Sequence, residues 1–161
     1  MHVPRRRSVV AAVLATIALA TAGTARADSG QPVKGQATPI TSAYFLKQVA
    51  DGNVVLGFAG AHGWTGDFMG TSSIEGQLVQ HSNGTLTFHA ELVFTGQTPC
   101  GFGTVRFDAQ GSSPLPGPVT GHVVTNDQAD ATVAVHANLD ISLVLMPQGA
   151  YVTYSGDARC G

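Results

Sequence analysis

From Val133 to Leu145 every second residue is apolar: Val133, Val135, Ala137, Leu139, Ile141, Leu143 and Leu145 form one unbroken series, with Thr132, His136, Asn138, Asp140 and Ser142 between them. A period of two gathers one set on a single face of an extended strand, whereas a helix would scatter it around the axis. The stretch LTFHAELVF repeats the pattern, with Leu86, Phe88, Ala90, Leu92 and Phe94 on one face and Thr87, His89 and Glu91 on the other. So does GTVRFDA, with Val105 and Phe107 inward and Thr104, Arg106 and Asp108 outward. GPVTGHVVT and AYVTYSGDARC supply further strands, and no segment shows a convincing helical period. Strands with one apolar face must bury it against one another. The expectation is an all-β domain, a single antiparallel β-barrel or alternatively a β-sandwich, of about seven or eight short strands.

Turn residues set the connections. FLKQVADGNVVLGF predicts a hairpin about Asp51-Gly52, where glycine supplies the positive φ of a tight turn. A rival reading makes 42–50 a short helix closed by Gly52. In SIEGQLVQHSNGTLTFHAELVF, a two-residue Asn83-Gly84 turn would set Leu78 against His89 and mix polar with apolar residues on each face. A three-residue loop, Ser82-Asn83-Gly84, pairs Leu78 with Phe88 and Ile74 with Leu92 instead, and it also sets Gln77 against His89 and Glu75 against Glu91.

The opening MHVPRRRSVVAAVLATIALATAGTARA has a basic start, an apolar run from Val9 to Ala20 and a small-x-small end at Ala25-Arg26-Ala27. Residues 1–27 therefore read as a secretory signal peptide. The apolar run is shorter than the about 20 residues a spanning helix needs, and the arginine cluster fits general or twin-arginine export alike. Residues 28–39, with Gly30, Pro32, Gly35 and Pro39 and almost no large apolar residue, read as a flexible leader to a domain over 40–161. Removal of the signal leaves 134 of 161 residues, enough for one domain. It leaves Lys34, Lys47, Arg106 and Arg159 against all ten acids, a charge of −6. That balance disfavours nucleic acid and anionic membrane surfaces as partners. The only two cysteines, Cys100 and Cys160, are expected to form a disulfide in an oxidising compartment.

The runs GFAGAHGWTGDFMGTSSIEG, HSNGTLTFHAELVFTG and CGFGTV together resemble small secreted actinobacterial proteins of unknown function related to the allene oxide cyclase-like β-barrels. The resemblance covers roughly Ala50 to Phe107 and rests on glycine, aromatic and turn placement. It implies a barrel and carries over no catalytic residue.

The common motifs of catalysis are missing from the chain: no phosphate loop, G-x-S-x-G elbow, HExxH, CxxC or calcium-loop spacing occurs. His62, His81, His89, His122 and His136 never recur at the spacing of two that would put ligands on one strand face, so no metal site and no cofactor is expected. The sharpest catalytic candidates are Glu75 and Glu91, with His89 beside them. Opposed carboxylates repel, and a bridging Arg106, a cation or a shared proton would relieve them. Lining a cavity, such a pair could act as acid and base, whereas on a wet face screening makes the repulsion minor. In the glycine-rich GAHGWTGDFMG, Trp64 with His62 and Asp67 either lines a ligand-binding barrel mouth or fills the core. The proline-rich GSSPLPGP is a connection without basic or aromatic context.

The expected function is binding of a small, partly apolar ligand in the barrel of a secreted protein. A cyclase or isomerase using cavity-lining Glu and His is the first alternative, and an extracellular interaction or inhibitor protein using exposed loops such as GSSPLPGP is the second. An interior with a cavity favours the first two readings; a filled one favours the third. Oligomeric state is left open by the sequence.

Overall fold

The computed structural model describes residues 30–114, 117–126 and 130–161; the signal peptide expected over 1–27 lies outside them. The described residues form eight strands and no helix: β1 (Gln31–Ala50), β2 (Asn53–Gly66), β3 (Met69–Gln80), β4 (Thr85–Thr98), β5 (Gly101–Pro114), β6 (Val119–Asn126), β7 (Val135–Met146) and β8 (Gly149–Cys160). Each strand pairs antiparallel with the next, and β1 pairs with β8, so the sheet closes into one barrel. Closure removes free sheet edges along the paired wall and turns the alternating apolar faces of β4, β5 and β7 inward.

The hairpin expectations hold in register. Ala50 pairs with Asn53 across Asp51-Gly52, both in the left-handed region at φ 51° and 75°, as a tight two-residue hairpin turn requires. Residues 42–50 are therefore strand, not helix. Leu78 faces Phe88, Ile74 faces Leu92, Gln77 faces His89 and Glu75 faces Glu91. Gly84 takes φ 81°, and the Asn83 side-chain oxygen accepts the Thr85 N–H at 3.0 Å, which closes the three-residue loop.

One expectation fails at β1: residues 31–39 belong to this 20-residue strand rather than to a flexible leader. Inward positions Val33 and Ala37 are buried, and Gln31 to Ala37 pair with Ala158 to Val152. The segment is held mainly by backbone pairing, with β8 along 31–37 and with β2 from Gly35 onward, so few large side chains are needed. Gly35 is small for a reason: a Cβ there would collide with the Tyr154 hydroxyl and the Thr65 carbonyl.

Connections alternate between two ends of the barrel. One end carries the β2–β3, β4–β5 and β6–β7 connections together with the start of β1 and the end of β8. Trp64, Phe68, Phe94, Phe107 and Tyr154 pack inside toward this end with ring centroids 5.2–6.5 Å apart, mostly edge to face. Trp64 donates to Ser72 Oγ at 2.9 Å, and Tyr154 Oη accepts the Phe68 N–H at 3.0 Å, so the polar tips of the plug are satisfied. Cys100, in the β4–β5 turn, is bonded to Cys160 at the end of β8, with Cα atoms 5.4 Å apart. The opposite end carries the β1–β2, β3–β4, β5–β6 and β7–β8 connections.

Candidate functional site

Strand β1 outruns its partner. Its pairing with β8 stops at Ala37, while its pairing with β2 continues to Ala50 past register shifts at Pro39/Thr41 and Leu46/Gln48. The wall is consequently split on this side, bridged by a hydrogen bond from Ser42 Oγ to the Gln148 carbonyl at 2.7 Å. A cavity of about 80 Å³ lies behind the split. Its lining runs from buried Ala37, Trp64, Leu78 and Leu86 through Phe88, Ile141 and Leu143 to the exposed Tyr44 and Leu145. The interior is thus filled by aromatic rings at one end and hollow toward the other.

One imidazole interrupts this apolar wall. His62, inward on β2 and 6% exposed, lines the cavity. Its Nε2 lies 3.1 Å from the Ala150 carbonyl oxygen. A carbonyl can only accept, so Nε2 carries the proton and Nδ1 presents a bare lone pair. Nδ1 is the one buried side-chain polar atom without a partner among the described residues. Burial pushes the His62 pKa below the ordinary histidine value, against a smaller opposing effect of the bond to Ala150, and favours the neutral ring.

The residues singled out in GAHGWTGDFMG separate. Trp64 and His62 are both buried and both line the cavity, Trp64 as the inner face of the aromatic plug. Asp67 does not join them: it is exposed, outside the cavity lining, and its carboxylate accepts the Lys34 N–H at 2.7 Å, fixing the β2–β3 connection to β1. It is removed from the ligand-binding set.

The catalytic candidates lie on the outer face. Glu75, His89 and Glu91 are exposed and border a shallow surface groove with Phe45, Lys47 and Gln77. They cannot line the cavity, because their strands turn Ile74, Leu78, Phe88 and Leu92 toward it. Arg106 does not bridge the two glutamates; it pairs with Asp130, its Nε donating at 2.8 and 3.0 Å to the two carboxylate oxygens. That pairing, chiefly through its hydrogen bonds, raises the Arg106 pKa and lowers that of Asp130. Asp108 continues the acidic row beside Glu91 and accepts a hydrogen bond from Asn126 at 2.9 Å. Among the described residues no group of His, Cys, Asp or Glu is arranged to hold a metal ion. Of GSSPLPGP, Gly111–Pro114 belongs to β5, and Leu115 and Pro116 lie outside the described residues.

Ala150, Tyr44 and the split itself were not visible as site features in the sequence. His62 carried a signal: it shares parity on β2 with Leu56, Phe58 and Trp64, which places it inward once the Asp51-Gly52 turn fixes the strand. Comparison of the chain with protein-family models and with curated proteins finds no match.

Proposed function

We propose that this chain is an exported binding protein that takes a small apolar ligand through the split between β1 and β8 into the barrel. The observation that carries the reading is the cavity, whose apolar lining is continuous with exposed Tyr44 and Leu145 at the split. The signal-like start, the bonded cysteine pair and the acidic balance of the remaining chain support export. Outward Thr87, His89 and Glu91 opposed to inward Leu86, Phe88 and Leu92 give a polar exterior over an apolar interior, the reverse of a barrel that faces lipid. Sugars and nucleotides are poor candidates, since only His62 and the hydroxyls of Thr41, Ser42 and Tyr44 offer polar contacts in the lining. The volume is about half of the roughly 150 Å³ that accommodates benzene in an engineered cavity, so the occupant is slim.

Methyl NMR of the disulfide-bonded protein under xenon pressure tests this. Saturable shifts are expected at Leu78, Ile141 and Leu143, and Ala150→Phe, which narrows the cavity while keeping the carbonyl that holds His62, should abolish them. Xenon shifts confined to exposed residues such as Val49 or Val144 would refute the reading.

A further inference from the structure

Resting on that reading, we propose that His62 is an acid-operated clasp: as a neutral ring it holds the seam between β1 and β8 shut beside the cavity, and as an imidazolium it lets the seam part, so that acid releases the ligand. The seam begins where backbone pairing ends. Beyond Ala37–Val152 the same register would set Pro39 opposite Ala150, and proline has no N–H to offer. His62, the partner of Pro39 on β2, reaches across β1 and gives its Nε2–H to the Ala150 carbonyl at 3.1 Å. Ser42 donates to the Gln148 carbonyl at 2.7 Å. Between these two contacts Gly149 presses on β1 so closely that a Cβ there would stand 2.7 Å from that of Pro39. Two side chains thus hold β8 where the amides of β1 do not, and only one of them titrates.

A proton on Nδ1 leaves Nε2 a donor but puts a charge where nothing matches it. That nitrogen is buried and has no partner among the described residues. On the strands around it, the other titratable groups inside the barrel are Tyr44 and Tyr154, both kept neutral by burial, which raises their pKa values. Lys34 and Lys47 of β1, Glu75 of β3, His136 and Asp140 of β7, and Asp157 and Arg159 of β8 are exposed. A buried charge without a partner is costly. The imidazolium is relieved only by water, and turning toward water takes Nε2 off Ala150. Opening restores the ordinary histidine pKa of about 6.5, while the closed ring titrates lower. Below that pH each further unit of acid should therefore raise the open population about tenfold, until the closed ring itself is protonated.

Methyl relaxation dispersion on the full disulfide-bonded chain, from about pH 7.5 to about pH 5, reads that population at Leu143, Leu145 and Val152. Exchange at these methyls should grow by that factor while Val105 and Val135, at the filled end, stay quiet, and xenon should leave the cavity faster in step. His62→Gln, whose amide donates without titrating, should keep the seam shut throughout. Exchange at the seam that ignores pH, that depends on pH equally in His62→Gln, or that appears as strongly at Val105 and Val135 would overturn the clasp; if xenon still binds, the cavity reading stands. A seam that opens with acid in a chain that never takes up xenon would overturn the cavity reading and leave the clasp. The wild-type pH series decides the matter even where the variant does not fold.

Discussion

His62 and Glu91 show how a residue's role here depends on its parity. Both are polar residues within alternating strands, but the first is turned into the barrel and the second to water. For Glu91 the alternation of LTFHAELVF was sufficient, because its neighbours Ala90 and Leu92 are unambiguous in their facing. For His62 the same-face neighbours include Gly60 and Gly66, which have no side chain to mark a face, so its facing rests on Leu56, Phe58 and Trp64 once the turn fixes the strand. The buried imidazole has a thermodynamic signature. The unfolded chain titrates with an ordinary histidine pKa of about 6.5, whereas burial holds the native ring lower. Between those two values the unfolded chain binds a proton that the native state refuses, so the stability contribution is complete above pH about 6.5 and is lost as the pH falls through the native value. Thermal melts across this range should show wild type losing stability toward acid more steeply than His62→Phe; parallel curves would remove His62 from that role.

Among the elements, β1 is the one least legible in the sequence. Strands β3, β4, β5 and β7 announce themselves by apolar alternation, and β6 and β8 by β-branched residues bounded by turns. The first half of β1 has none of this, since Pro32, Gly35 and Pro39 are turn-forming residues and Val33 and Ala37 are its only buried apolar side chains. It is fixed instead by two neighbours that already exist as strands. Its second half, 38–50, has β2 on one side and no strand on the other, and Ile40, Tyr44, Phe45, Leu46 and Val49 are exposed along it. A long apolar edge invites pairing between chains, and a charge at the edge discourages it. Val49→Lys should accordingly lower concentration-dependent light scattering while shifting stability by no more than about 0.5 kcal/mol, as for an exposed position. Unchanged scattering would mean that this edge is not what associates.

At the scale of the whole molecule, the closed ring of strands was legible, and its unequal filling was not. Alternation states which side chains point inward but not whether they meet. Five aromatic rings meet at one end, where Gly35 leaves room for Tyr154, whereas smaller aliphatic side chains and the parted wall leave space at the other. The disulfide reinforces the filled end, joining positions 60 residues apart. Cys160→Ser should lower stability by about 2–4 kcal/mol in urea melts against the oxidised wild type, through the freedom restored to the unfolded chain. The pairing of β1 with β8 has one more consequence. Because Gln31 lies against Ala158, the strand order is a cycle in which the start of β1 and the end of β8 occupy the place of one further hairpin connection. A circular permutant that runs from Thr85 through Gly161, crosses a short glycine linker into Gly30 and stops at His81 has the same neighbour for every strand. Which strand comes first is thus a property of the gene, and the barrel is indifferent to it.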